Sequence, residues 1–249
     1  MQRLREDVAG ASRADVNVLI VGEAGVGKQI IARQIHEAGS RRSQPFVTIS
    51  CAGIPDALLE SELFGHARGS FTGAYRDRPG LAAQSDGGTL FLDDIGDMST
   101  RVQGHFLRFV ETGALTTIGP NRRELRMNVR IVTAASRSLA QPIAAGDFRE
   151  DLYYRLNVIR LTVPPLRERG DDIDALLRHH LEERAKAHGI DTPRLTTAAA
   201  RTLSAYHWPG NVRELTNVVE RLVIRPTGRD IAAEDLPPEI LDATTYRSR

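Results

Sequence analysis

Short apolar runs separated by longer stretches of mixed polarity give this chain its first outline. Residues 17–21, 46–49, 89–94, 129–134 and 158–163 each read as a strand, being short, apolar and rich in β-branched or aromatic residues. Between the first two, Lys28 to Glu37 carries Ile30, Ile31 and Ile35 at helical spacing. Strands alternating with helical segments predict an α/β fold, a parallel sheet with helices on both faces. After Pro164-Pro165 the pattern changes and no further strand is expected. Ile173, Leu176, Leu177, His180 and Leu181 form one apolar stripe, and residues 196–205 make a second helical stretch. A third opens at Asn211, where Glu214 three residues on resembles a capping box, and its face is Val212, Leu215, Val219 and Leu222. The expected division is an α/β domain over residues 1–165, a small helical domain over 166–240 and a tail over 241–249.

The first strand runs into Gly22-Glu23-Ala24-Gly25-Val26-Gly27-Lys28-Gln29, and a helix follows. This is the G-x-x-x-x-G-K spacing of a phosphate-binding loop. The glycines let backbone N–H groups close around a polyphosphate, Lys28 supplies a point charge, and the helix offers its positive end. Gln29 stands where a magnesium-binding Ser or Thr is usual. The third strand ends in Asp93 and Asp94. There the first carboxylate suits the magnesium shell and the second can orient or deprotonate an attacking water. Ligands of parallel sheets bind beyond the strands' carboxyl ends, where Lys28, Asp93 and Asp94 all fall.

Composition narrows the partners. With 33 basic and 32 acidic residues the formal charge is +1, so no global field recruits nucleic acid or a membrane. A single cysteine, Cys51, excludes an internal disulfide and fits a reducing cytoplasm. No signal peptide or membrane span is expected. The seven histidines show no metal-ligand spacing; His179 and His180, adjacent on a helix, are expected to point to different faces.

Several stretches resemble the central ATPase domain of the bacterial enhancer-binding proteins, the sigma-54-dependent activators of the AAA+ class. The most specific is Glu62-Leu63-Phe64-Gly65-His66-Ala67-Arg68-Gly69-Ser70-Phe71-Thr72-Gly73-Ala74, similar to that family's ELFGH segment followed by its GAFTGA loop, here GSFTGA. Residues 147–156 look like the segment carrying two arginine fingers, which would be Arg149 and Arg155 acting on a neighbouring subunit's nucleotide. Residues 208–215 resemble the sensor II segment, with Arg213 reaching a phosphate, and residues 111–126 look like a second pore-side insertion.

The resemblance covers residues 15 to 240 and implies a P-loop AAA+ nucleotide-binding domain with a helical lid. It implies ATP and Mg2+ as cofactors, Asp93 holding the metal through water, and assembly into a homo-oligomeric ring, a hexamer. ATP hydrolysis would drive the GSFTGA loop against the sigma-54 RNA polymerase holoenzyme and remodel the closed promoter complex. Promoter DNA would be contacted only indirectly, since no DNA-binding domain is recognisable in this chain. The alternative is a nucleotide-binding regulatory or assembly module with weak or absent hydrolysis. Four positions depart from the family pattern. Asp94 replaces a Glu, Ser50 replaces the Asn that restrains it, Ala135-Ser136 replace the sensor I Thr-Asn pair, and Gln29 replaces a Glu. The resemblance assigns catalysis to Asp94, Ser50, Arg149 and Arg155, with slow turnover expected from the departures at Asp94, Ser50 and Ala135-Ser136.

Overall fold

The computed structural model describes residues 2–70, 74–116, 118, 124–224 and 230–245. The chain forms two compact units, one of Met1–Gly22 and Lys28–Val163, the other of Glu23–Gly27 and Pro164–Arg249.

The first unit begins with a helix, α1 (Gln2–Arg13), and continues through β1 (Val18–Val21), α2 (Lys28–Glu37) and β2 (Phe46–Ser50). Next come α3 (Asp56–Phe64), the short pair β3 (Gly65–His66) and β4 (Arg78–Pro79), and α4 (Leu81–Gln84). β5 (Thr89–Asp93), α5 (Thr100–Thr112) and the antiparallel pair β6 (Ala114–Thr116) and β7 (Glu124–Arg126) follow. β8 (Arg130–Ala135), α6 (Ala140–Ala145), α7 (Glu150–Leu156) and β9 (Ile159–Thr162) complete it. The five expected strands pair in parallel in the order β2-β5-β8-β1-β9. Burial follows position: β5, β8 and β1 are central and almost wholly buried, so they read as continuous apolar runs. β9, at an edge, alternates, with Leu161 buried between exposed Arg160 and Thr162.

Among the helices that the hydrophobic pattern did not outline, α1 and α3 each carry a polar contact in their packing. The C-terminal carbonyls of α1 are satisfied from a distance. Arg130, 3% exposed on β8, donates through Nη2 to Ala11 O at 2.6 Å, and burial lowers its pKa. In α3 the carboxylate of Glu60 is buried and meets Arg101 at 3.0 Å and His105 at 2.7 Å. A charged residue inside a helix face hides the apolar period that Leu59, Leu63 and Phe64 would otherwise show.

The second unit packs α8 (Gly170–His188), α9 (Thr197–Ala205), α10 (Asn211–Ile224) and α11 (Pro238–Thr245) around Trp208, Leu177, Leu203, Leu215 and Val219. The fully buried Trp208 donates its indole N–H to Leu203 O at 3.0 Å. α11 crosses residue 240, so the helical unit runs on into residues expected as a tail. The stripe of α8 is Ile173, Leu177, Leu181 and Ala185. His180 lies beside that stripe and bonds Glu183 through Nδ1 at 3.2 Å.

Candidate nucleotide site

In the sheet unit, Lys28 opens α2 and is only 6% exposed. Its ammonium donates to Gly22 O at 2.9 Å and to Ser136 Oγ at 3.0 Å. Asp93 ends β5 and accepts the Asp94 backbone N–H on its carboxylate at 3.0 Å. Asp94 follows with φ 53°, a left-handed conformation that few side chains other than Asn and Asp adopt readily. Its carboxylate accepts a hydrogen bond from the Ser136 hydroxyl. A cleft of about 260 Å³ is lined here by Asp94, Gly96, Asp97, Ala135, Ser136, Arg137 and Leu139.

Ser50 stands where the family has the Asn that restrains the second acidic residue. It sits at the end of β2 in register with Asp93, and its hydroxyl has no hydrogen-bond partner among the described residues. The hydroxyl on Asp94 is that of Ser136, 42 positions away in sequence and just past the end of the other neighbouring strand. Beside Asp93 the thiol of Cys51 is buried and pushed up to about 12, by loss of water and by the nearby carboxylates. Gln29 is exposed in the first turn of α2.

Residues 23–27 of the phosphate loop belong to the helical unit, and the contacts within that unit are dense. The Glu23 carboxylate receives both ends of the Arg167 guanidinium at 2.6 and 2.9 Å and the Asn211 amide at 3.1 Å. Those donors hold its pKa down at about 2. Asn211, fully buried with φ 52°, also donates to Ala24 O at 3.0 Å and accepts from Leu166 N at 2.7 Å. Arg169 donates to Val26 O at 3.1 Å and the Arg213 backbone N–H to Gly25 O at 3.3 Å.

These contacts correct the capping-box expectation. Asn211 spends its side chain on the loop, and Glu214 instead accepts the Gly210 N–H at 2.8 Å. A Cβ built on Gly25 would lie 3.0 Å from Arg213 Cβ, which sets Arg213, exposed in the first turn of α10, beside the loop. Sequence reasoning placed Arg213 there through resemblance. It missed the contacts that Arg167 and Asn211 make to Glu23, which join residues more than 140 positions apart and leave no local signal.

Of the partner loop, Phe71, Thr72 and Gly73 lie outside the described residues. Its base is ordered by main-chain bonds, Gly69 N to Ala74 O at 2.8 Å and Ala67 N to Ile118 O at 2.8 Å. Ser70, the position that differs from the family's alanine, donates its hydroxyl toward Ala67 O and Ile118 O, at 2.5 and 2.8 Å. One proton shared between those two carbonyls ties the loop to the second insertion. Arg149 and Arg155 are exposed, and each meets a carboxylate of this chain, Asp151 at 2.7 Å and Glu111 at 3.1 Å.

The expectation that His179 and His180 face apart fails. Their rings stand edge to face 5.2 Å apart, and with Glu183 they bring three ligand-type atoms within 4.8 Å of one another on an exposed helix surface. The i, i+3 and i, i+4 spacings to Glu183 draw both rings toward one side. Among the described residues no helix is long and apolar enough to cross a membrane.

Comparison with known proteins agrees in outline. The model of the family described as Sigma-54 interaction domain matches residues 1–162, and that described as AAA+ ATPase lid domain matches residues 167–249. The DNA-binding transcriptional regulator NtrC of Rhizobium meliloti is 46% identical over 247 residues, covering 98% of this chain and 51% of that protein. The transcriptional regulatory protein GlrR of Escherichia coli is 48% identical over 223 residues, 90% of this chain and 50% of that one. The chain thus spans about half the length of these relatives. The crystal structure of NtrX from Brucella abortus in complex with ATP superposes with a TM-score of 0.90 at 34% identity, covering 98% of this chain and 54% of that chain.

Proposed function

The chain belongs to the sigma-54 interaction domain family of AAA+ proteins, and from that membership we propose that it binds and hydrolyses ATP as a ring-forming activator of sigma-54 RNA polymerase. The observation that carries the reading is the junction of Lys28, Ser136 and Asp94 at the carboxyl ends of adjacent parallel strands, with Asp93 beside it.

Lys28 would pair with the phosphates of ATP, as would backbone N–H groups of the loop after Gly22, where Gly25 and Gly27 have positive φ. Asp93 offers the hard oxygen donor that Mg2+ prefers, and the metal would neutralise phosphate charge. Asp94 orients water for attack on the terminal phosphate. Arg213 contacts a phosphate, and Arg149 and Arg155 reach a neighbouring subunit's nucleotide, for which each exchanges a solvent-exposed ion pair of small worth. Phe71 and Thr72 of the GSFTGA loop grip the sigma factor and remodel the closed promoter complex.

Steady-state ATP turnover tests the catalytic half. Turnover rises with protein concentration as rings form, and Asp93→Ala lowers it by at least about a hundredfold. A rate equal to that of Asp93→Ala removes the hydrolytic reading. Direct binding to sigma-54 with a transition-state analogue bound, lost in Thr72→Ala, tests the partner.

A further inference from the structure

One helix of the second unit carries a group of side chains that the nucleotide chemistry does not use. Along α8 each position turns by roughly 100°, so Glu183, four positions after His179 and three after His180, lies between them around the axis, one turn further on. The two imidazoles therefore converge on its carboxylate from either side. Their rings stand edge to face 5.2 Å apart, and one ligand-type atom from each of the three residues lies within 4.8 Å of the other two. Among the described residues this is the one such group of histidine, cysteine or carboxylate side chains.

The distances suit an ion. His180 Nδ1 and Glu183 Oε2 are 3.2 Å apart, close to the ~3.4 Å that separates neighbouring ligands of a tetrahedral ion with bonds of about 2.1 Å. The other separations, within 4.8 Å, close by side-chain rotation, which the exposed His179 and Glu183 permit. His180 is the fixed member, with only 15% of its side chain exposed. Its hydrogen bond lowers the pKa of Glu183, which keeps that carboxylate in the ionised form a metal requires. The next cations along the helix turn to another residue, Arg184 meeting Glu220 at 3.1 Å and His188 meeting it at 2.7 Å.

We propose that His179, His180 and Glu183 form a site for a divalent transition-metal ion of the zinc type on α8. Two imidazoles and one carboxylate favour Zn2+ or Cu2+ over Mg2+ and Ca2+, which take oxygen donors. Three protein ligands leave a coordination position to water or to a donor from another molecule. Because its ligands come from successive turns, the ion binds the folded helix better than the unfolded chain and so stabilises it. The site stands independently of the ATPase reading.

Calorimetric titration of the nucleotide-free chain with zinc chloride, in a buffer that does not bind metal, tests the site. The unaltered chain should bind zinc with a Kd of about 1–100 μM, weaker than a closed four-ligand site, and calcium chloride should not compete. His179→Ala, His180→Ala and Glu183→Gln should each weaken binding by at least about tenfold, whereas His188→Ala should leave it unchanged. With Cu2+ in place of zinc, electron paramagnetic resonance should show coupling to two imidazole nitrogens, falling to one in His179→Ala. Zinc affinity in His180→Ala equal to that of the unaltered chain overturns the proposal. So does a loss in His188→Ala alone, which assigns the zinc to His188 and Glu220. His179→Ala alters an exposed side chain, so unchanged affinity in that variant overturns the proposal even where His180→Ala fails to fold.

Discussion

Asn211 carries more of the phosphate loop than its place at the start of a helix suggests. Its side chain satisfies the Leu166 N–H, the Ala24 carbonyl and one oxygen of Glu23, and its φ of 52° is one that asparagine tolerates far better than alanine. Asn211→Ala leaves the Leu166 N–H buried without a partner, at about 1–3 kcal/mol, and adds about 1–2 kcal/mol of backbone strain. Asn211→Gly escapes only the strain. Equilibrium denaturation should therefore rank the unaltered chain above Asn211→Gly and that above Asn211→Ala, the two variants differing by about 1–2 kcal/mol. The identities of Lys28, Asp93 and Asp94 are visible in the sequence because each sits at a fixed offset from its own strand. The partner of Asp94 is not visible, since Ser136 comes from a different strand and only the register β5 to β8 brings it near.

Elements fail or succeed through their surroundings in the same way. Gly25, with φ 79°, approaches the carbonyl of Gly210 so closely that an added Cβ would lie 2.3 Å from that oxygen. Gly25→Ala should cost about 2 kcal/mol or more, lowering the unfolding midpoint by roughly 4–8 °C and weakening nucleotide affinity. Gly10, in α1, has nothing within 4 Å of its Cβ position. Gly10→Ala should instead stabilise by about 0.5–1 kcal/mol through helix propensity, and the opposite signs are read in one melting series. The three central strands were legible because buried parallel strands are uniformly apolar, and β2 and β9 because they are short runs rich in β-branched or aromatic residues. α3 was not, because the buried Glu60 interrupts its apolar face.

At the scale of the whole molecule, near-neutral charge leaves pH dependence to local pairs. Glu23 has its pKa lowered from 4.5 to about 2 by Arg167 first and then Asn211. A carboxylate with a depressed folded-state pKa contributes stability that is complete above 4.5 and is lost as pH falls toward 2. The pair is about two-fifths exposed, so the contribution is modest and salt-sensitive. Between pH 4.5 and 2 the unaltered chain should lose stability more steeply than Glu23→Gln, with the difference shrinking in high salt; parallel curves would exclude the linkage.

The sequence by itself determined the α/β class, the five strands, the loop around Lys28 and the two carboxylates, because each is written in a contiguous stretch whose period or spacing has a local physical cause. Only the tertiary structure decided that Ser136 rather than Ser50 holds Asp94, that Asn211 and Arg167 hold Glu23, and that Arg149 and Arg155 each meet a carboxylate of this chain. Those pairings depend on strand order and helix packing, which set distances between residues far apart in sequence, and no local pattern encodes such distances.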